Sequence, residues 1–185
     1  MGSLTETQRS IIIGSLLGDG AMRCKANALL EINHSFAQRE YVDWKYDMLA
    51  NLVRTPPKAR EGNAGRRAYR FTTLSLPQLT PIYRAFYRDN RKVVPELELT
   101  PLALATWFMD DGCKSHRAIY LNTQQFDLDS QLRLLTLLLK QWQIRANLNR
   151  DKHYYRIRVA VESVSRFKQV AGRHVRDEFK YEFPA

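Results

Sequence analysis

Two apolar runs in the chain end in acid and glycine. Residues 11–20 read IIIGSLLGDG and residues 104–112 read LATWFMDDG, so Asp19 closes one run and the pair Asp110–Asp111 closes the other. A helix C-terminus already carries partial negative charge. Carboxylates gathered there repel one another and climb in pKa unless a cation intervenes. Oxygen donors, four histidines without ligand spacing and two unclustered cysteines favour Mg²⁺ or Mn²⁺ over zinc. Acids holding such an ion opposite a polyanion supply the parts for metal-assisted phosphodiester hydrolysis. Taken alone, Asp19 reads as an ordinary turn aspartate before glycine. Two such sites at matching positions reverse that reading.

The matching extends to the elements around them. Thr5 can cap a helix with Gln8 three residues on, and that helix runs to Leu17 before Gly18–Asp19–Gly20. Thr100–Pro101 opens a second helix, with proline in its first turn, that stops at Asp110–Asp111–Gly112. A hairpin follows each stop, turning at Ala26–Asn27 and near Ser115–His116. Then come an amphipathic helix (38–53 and 129–144), a second hairpin returning through 66–75 and 153–162, and a closing helix (77–89 and 163–175). The order αββαββα therefore occurs twice. The expected architecture is α+β, with two pseudo-symmetric αββαββα halves (residues 1–90 and 100–185) joined by a linker (91–99). Gly14, Ser15 and Gly18 on one acid-ended helix, and Ala103, Ala105 and Thr106 on the other, let the two lie side by side. Trp44, Trp142 and Leu134 to Leu139 are expected in the core of the amphipathic helices.

The chain of 185 residues carries 29 Lys+Arg against 19 Asp+Glu, a net charge of +10 with pI near 9.8. Both halves share the excess, which points to a nucleic acid or, less often, an anionic membrane surface. No apolar run is long enough to span a membrane, no secretory core opens the chain, and the two cysteines suit a reducing compartment. Much of the positive charge falls on the hairpins: Arg23, Lys25, Arg66, Arg67 and Arg70, then Lys114, Arg117, Arg150, Lys152, Arg156 and Arg158. A sheet with helices on one face and these cations on the other suits a DNA major groove. His116 and His153 are candidates for phosphate contact, and Tyr154 or Tyr155 for a base.

At these residues the sequence resembles the single-chain LAGLIDADG homing endonucleases. IIGSLLGDG (12–20) and LATWFMDDG (104–112) match the family's two motifs, and LTPLALATWFMDDGCK with the later IYLNTQQF is similar to the mitochondrial omega-intron group. The resemblance implies a monomer whose motif helices form the interface and whose curved antiparallel sheets make a saddle over double-stranded DNA. It implies Asp19 and Asp111 as catalytic acids, each holding a divalent ion and cutting one strand at a long site. Gly18 and Asp110, the motif neighbours of these acids, join the expected metal site, with a plain surface acid as the alternative for Asp110.

Relatives also place a lysine late in each half, which implies Lys92 in RKVVP. In the second half Glu182 takes that place, so either Lys180 substitutes or that half lacks its lysine and cuts more slowly. Ser35 and Gln124, at matching points on the first hairpins, are expected to position water. The alternative function is an intron-encoded RNA maturase, with a cleavage-dead DNA-binding regulator as a weaker one. The expected location is inside a cell, in an organelle or a prokaryote.

Overall fold

Thr5 begins the first helix, α1 (Glu6–Leu17), through a reciprocal cap. Its hydroxyl accepts from the Gln8 N–H at 3.1 Å, and the Gln8 side chain accepts from the Thr5 N–H at 3.1 Å. The computed structural model describes residues 3–62 and 65–184. After α1 come β1 (Ala21–Cys24), β2 (Ala28–Ser35), α2 (Arg39–Leu49), β3 (Lys58–Glu61), β4 (Arg67–Thr72) and α3 (Thr80–Phe86). A small hairpin, β5 (Tyr87–Arg88) and β6 (Arg91–Lys92), precedes the second series. That series is α4 (Pro101–Asp111), β7 (Gly112–Ser115), β8 (Ala118–Leu121), α5 (Leu128–Trp142), β9 (Ala146–Asp151), β10 (Tyr154–Val159) and α6 (Val164–Ala171). Two antiparallel four-stranded sheets result, ordered β1-β2-β4-β3 and β7-β8-β10-β9. The α+β repeat is thus a repeat of topology as well as of sequence.

The interface between the two series is α1 against α4. A Cβ on Gly14 would lie 2.5 Å from the Ala103 carbonyl oxygen and 2.6 Å from Thr106 Cβ, so the backbones are as close as glycine permits. Ile11, Ile12, Leu16 and Leu17 of α1 and Ala103 to Phe108 of α4 are fully or almost fully buried there. Thr100 caps α4 by accepting from the Ala103 N–H, and its hydroxyl donates to Ser10 Oγ at 2.8 Å, tying the helices at their starts. No described helix is long and apolar enough to cross a membrane.

Two expectations change. The closing helix of the first series ends at Phe86 rather than Asp89, because Asp89 and Asn90 take φ of 47° and 60°. Those angles make the two-residue turn that pairs Tyr87 with Lys92. Residues 91–92 therefore belong to a hairpin and not to a free linker. On α5 only one face is core: Leu134 and Leu138 are buried, while Leu132 and Leu139 are 46% and 51% exposed. Trp44 and Trp142 pack at the edge of the core.

Candidate active site

The motif helices deliver their acids unequally. Asp111 is the last residue of α4, whereas α1 stops at Leu17 and Asp19 stands in the turn beyond. Gly18 brings the two ends together, since a Cβ on it would lie 2.3 Å from Asp110 Cβ. Burial, followed by the charges of Asp19 and Asp110, pushes Asp111 up to about 8. Asp19 is raised as well, first by burial and then by Asp110. Lys92 and Lys45 oppose both shifts without cancelling them.

Lys92 reaches the site from the β5–β6 hairpin. Its Nζ donates to the carbonyls of Gly18 (3.0 Å) and Gly20 (2.8 Å) and to Gln125 Oε1 (3.1 Å). A cation there complements the end of α1. Burial lowers Lys92 to about 8 even though three aspartates favour its charged form. Gln125, fixed by Lys92, turns its amide to the carbonyls of Leu17 and Gly18 and to Asp111 Oδ2 at 3.4 Å. The expectation of Gln124 was displaced by one residue: Gln124 donates to Asp151 at 3.0 Å instead.

Asp110 does not face the site. Its side chain is fully buried, takes two bonds from Lys45 Nζ (2.7 and 3.0 Å) and one from Tyr41 Oη (2.6 Å). Its oxygens are therefore spent on an ion pair between α2 and α4. Gly18 is likewise occupied, because its carbonyl already accepts from Lys92 and Gln125. Asp110 therefore drops out of the expected metal set, whereas the Gly18 carbonyl stays beside Asp19 among these donors. His34, to which no ligand role was assigned, lies at its edge. Its Nδ1 is 3.5 Å from Asp19 Oδ2 and its Nε2 is 3.4 Å from Lys45 Nζ. Asp19, His34, Ser35, Gln38, Arg66 and Arg67 line one cavity of about 580 Å³. Ser35 Oγ caps the following turn by accepting from the Ala37 N–H.

Lys180 is not brought to Asp111. It sits on an exposed turn paired with Asp177, three residues earlier, and Glu182 accepts from the Lys114 N–H at 3.3 Å. The cation nearest in charge to Asp111 is Lys92.

Strand register sorts the expected DNA contacts by face. In the first sheet Arg23 (opposite Leu29) and Arg70 (opposite Asn33 and Lys58) share the outward face. Lys58 and Arg60, which the sequence reading passed over, join them. Arg67 falls on the other face, paired with Glu61 and stacked on Phe36. In the second sheet Arg156 (opposite Asn149) and Arg158 (opposite Asn147 and Tyr120) face outward, with Arg156 4.2 Å above the Tyr120 ring. Lys114 and Arg150 sit on the opposite face, exposed only because they lie at strand ends. Lys25, Arg66, Arg117 and Lys152 are exposed in connecting segments.

Asp19 and Asp111 offer carboxylate oxygens alone, and among the described residues no group of three His, Cys, Asp or Glu side chains is placed to hold a metal ion. That set fits Mg²⁺ or Mn²⁺, which keep water and substrate phosphates among their ligands, and does not fit a protein-enclosed zinc site.

Comparison with known proteins agrees with this geometry. Residues 9–167 match the model of a family described as the LAGLIDADG DNA endonuclease family. Protein RecA of Mycolicibacterium chitae is 38% identical over 117 residues, covering 59% of this chain and 26% of that protein. The cytochrome b mRNA maturase bI2 of Saccharomyces cerevisiae is 30% identical over 203 residues, covering 98% of this chain and 48% of that protein. The chain thus spans about a quarter to a half of the curated relatives it matches. Among solved structures, the homing endonuclease I-WcaI bound to its DNA recognition sequence superposes with a TM-score of 0.89 at 21% identity. The match covers 99% of this chain and 88% of that one, so the fold is shared.

Proposed function

The chain belongs to the LAGLIDADG DNA endonuclease family, and on that premise we propose that it is a site-specific DNA endonuclease making a double-strand break at a long duplex site. One observation carries the reading. Asp19 and Asp111 meet at the adjoining ends of α1 and α4 with raised pKa values and no full complement of cations. Protein carboxylates left in that state are prepared for an external cation. Mg²⁺ or Mn²⁺ bound by these acids supplies Lewis-acid charge at the scissile phosphate.

The other roles fall to the chain's own groups. Lys92 holds the end of α1 and places its ammonium beside both acids, where it stabilises charge gathering on the phosphate. Gln125 orients Asp111. Arg23, Lys58, Arg60, Arg70, Arg156 and Arg158 supply phosphate and base contacts from the outward faces of the sheets. In this reading the halves are residues 1–90 and 100–185, with β6 fastened to the first, and one chain contains both acids, so a monomer suffices. Its place of work is inside a cell, in an organelle or a prokaryote, where the free thiols of Cys24 and Cys113 stay reduced.

A second reading, RNA maturase, is favoured by the match to maturase bI2 over 98% of the chain. Selection from a randomised duplex library separates the two. The nuclease reading expects one duplex to be cut with Mg²⁺ and bound uncut with Ca²⁺. Recovery of uncut duplexes under both ions removes the nuclease reading and leaves binding alone.

A further inference from the structure

We infer that His34 is a positioning residue for Asp19: its imidazole, oriented by the Lys45–Asp110 pair, presents Nδ1–H to the Asp19 carboxylate, and Asp111 has no counterpart. The inference rests on the reading of Asp19 as an active-site acid.

The argument begins at Lys45. Its Nζ bonds both oxygens of the fully buried Asp110 carboxylate, a contact that favours the ammonium against the burial that lowers its pKa. An ammonium has donors and no acceptor. His34 Nε2 lies 3.4 Å from this ammonium and 3.8 Å from Asp110 Oδ1, beyond hydrogen-bond reach, so it meets the nearer cation with a lone pair. The imidazole proton is thereby placed on Nδ1. That atom is buried without a well-formed hydrogen bond, although buried polar atoms are nearly always partnered, and the Gln38 side chain is a second polar group close to the ring. What it does face, at 3.5 Å, is Asp19 Oδ2. A small rotation of this half-exposed carboxylate completes the bond. A histidine or amide that hydrogen-bonds a metal-holding carboxylate fixes which oxygen is left for the ion.

The second series is built differently. Register places Tyr120 opposite Cys113 as Glu31 stands opposite Ala21, so Thr123 occupies the position of His34 and Leu134 that of Lys45. Thr123 turns its hydroxyl back to Gln131 at 3.3 Å. The residue matching Asp110 in the first series is Gly18, which follows the last residue of α1. No imidazole, cation or carboxylate repeats the chain of contacts. Asp111 is met by the Gln125 amide instead. The two acids are therefore held by different chemistry, and the two strands of a duplex are cut by sites with different supports.

Two measurements test this. The first is the long-range ¹H–¹⁵N spectrum of the metal-free protein at neutral pH, with the His34 signals assigned by their loss in His34→Asn. A neutral ring protonated on Nδ1 is expected. A ring protonated on Nε2, or on both nitrogens, overturns the inference whether or not the protein cuts DNA. The second follows each strand of an end-labelled duplex. His34→Phe is expected to slow, by about tenfold or more, the strand that Asp19→Asn abolishes, leaving the other strand within about twofold. His34→Asn, whose amide N–H replaces Nδ1–H, is expected to recover most of the loss. Equal slowing of both strands, or no recovery with asparagine, contradicts positioning. A wild-type protein that cuts no duplex refutes the nuclease reading instead, and the spectrum still decides the role of His34.

Discussion

Lys45 Nζ lies 2.7 Å from one oxygen of Asp110 and 3.0 Å from the other, with both side chains fully buried, and the pair joins α2 to α4. The contact crosses from one series to the other. Removing one member leaves the other charged and without its partner in the core. Lys45→Met or Asp110→Asn is expected to destabilise the protein by about 3–5 kcal/mol, and the double variant by less than the two effects combined. Chemical denaturation measures all three. Single variants within about 0.5 kcal/mol of the parent contradict the pairing.

Stability should fall with pH across a defined window in metal-free protein. Asp111 keeps its proton up to about 8 when folded, against 3.8 for an ordinary aspartate. The folded state then binds more protons than the unfolded state, so the stability tied to that proton is lost as pH rises through about 8. His34, lowered to about 4 from 6.5, acts with the opposite sign but is exhausted above 6.5. Lys92, lowered to about 8 from 10.5, raises stability only above about 8. Of these three groups only Asp111 changes its contribution between 6.5 and 8, while the lowered pKa of buried Lys45 works with the opposite sign. Denaturation in a chelator at both ends of that interval should show the drop, and Asp111→Asn should flatten it. A rising wild-type profile would falsify the assignment.

Close approach of the motif helices sets a steric prediction. Alanine at Gly14 would press on the Ala103 carbonyl and Thr106, neither of which is the free end of a side chain. The helices must part, and a loss of about 1–3 kcal/mol is expected from such overpacking. Alanine at Gly18 meets Asp110 Cβ and Oδ2, so it disturbs the Lys45 pair as well. Thermal melts showing neither variant weaker than wild type contradict the interface.

The sorting of cations by face predicts unequal effects on DNA. Alanine at Lys58, Arg60, Arg70 or Arg158 should weaken binding and reduce the salt slope by about one each where the group meets phosphate. Arg67, held to Glu61 and Phe36 on the other face, and Arg150 should change it less. Titrations in Ca²⁺ at several salt concentrations read the difference. Identical slopes for the two sets contradict the register argument.

The repeat of helix, acid and glycine was legible because it follows local rules: a capping threonine, small residues at the contact, and glycine where backbones touch. Asp19 and Asp111 announced themselves through those flanks. Lys92 was readable only by resemblance, since the hairpin that lifts it to α1 depends on positive φ at Asp89 and Asn90. His34 was missed because one histidine in a strand carries no spacing; its meaning comes from Lys45, eleven residues on, and from Asp110 in the other series. Gln125 rather than Gln124 meets Asp111, and the two were not separable because both lie in the turn after β8, where no alternation of faces tells neighbours apart. The faces of Arg67 and Lys114 were not legible, because a basic residue in a hairpin does not reveal its face until the register is known. Lys180 was expected from its place in the sequence, and a local pair with Asp177 holds it elsewhere.

Cleavage of an end-labelled target by Asp19→Asn and Asp111→Asn tests the central claim most directly. Each variant is predicted to lose double-strand cleavage in Mg²⁺ while retaining near wild-type affinity for the duplex in Ca²⁺. Double-strand cleavage at the normal rate by either one would show that its carboxylate is not part of the active site.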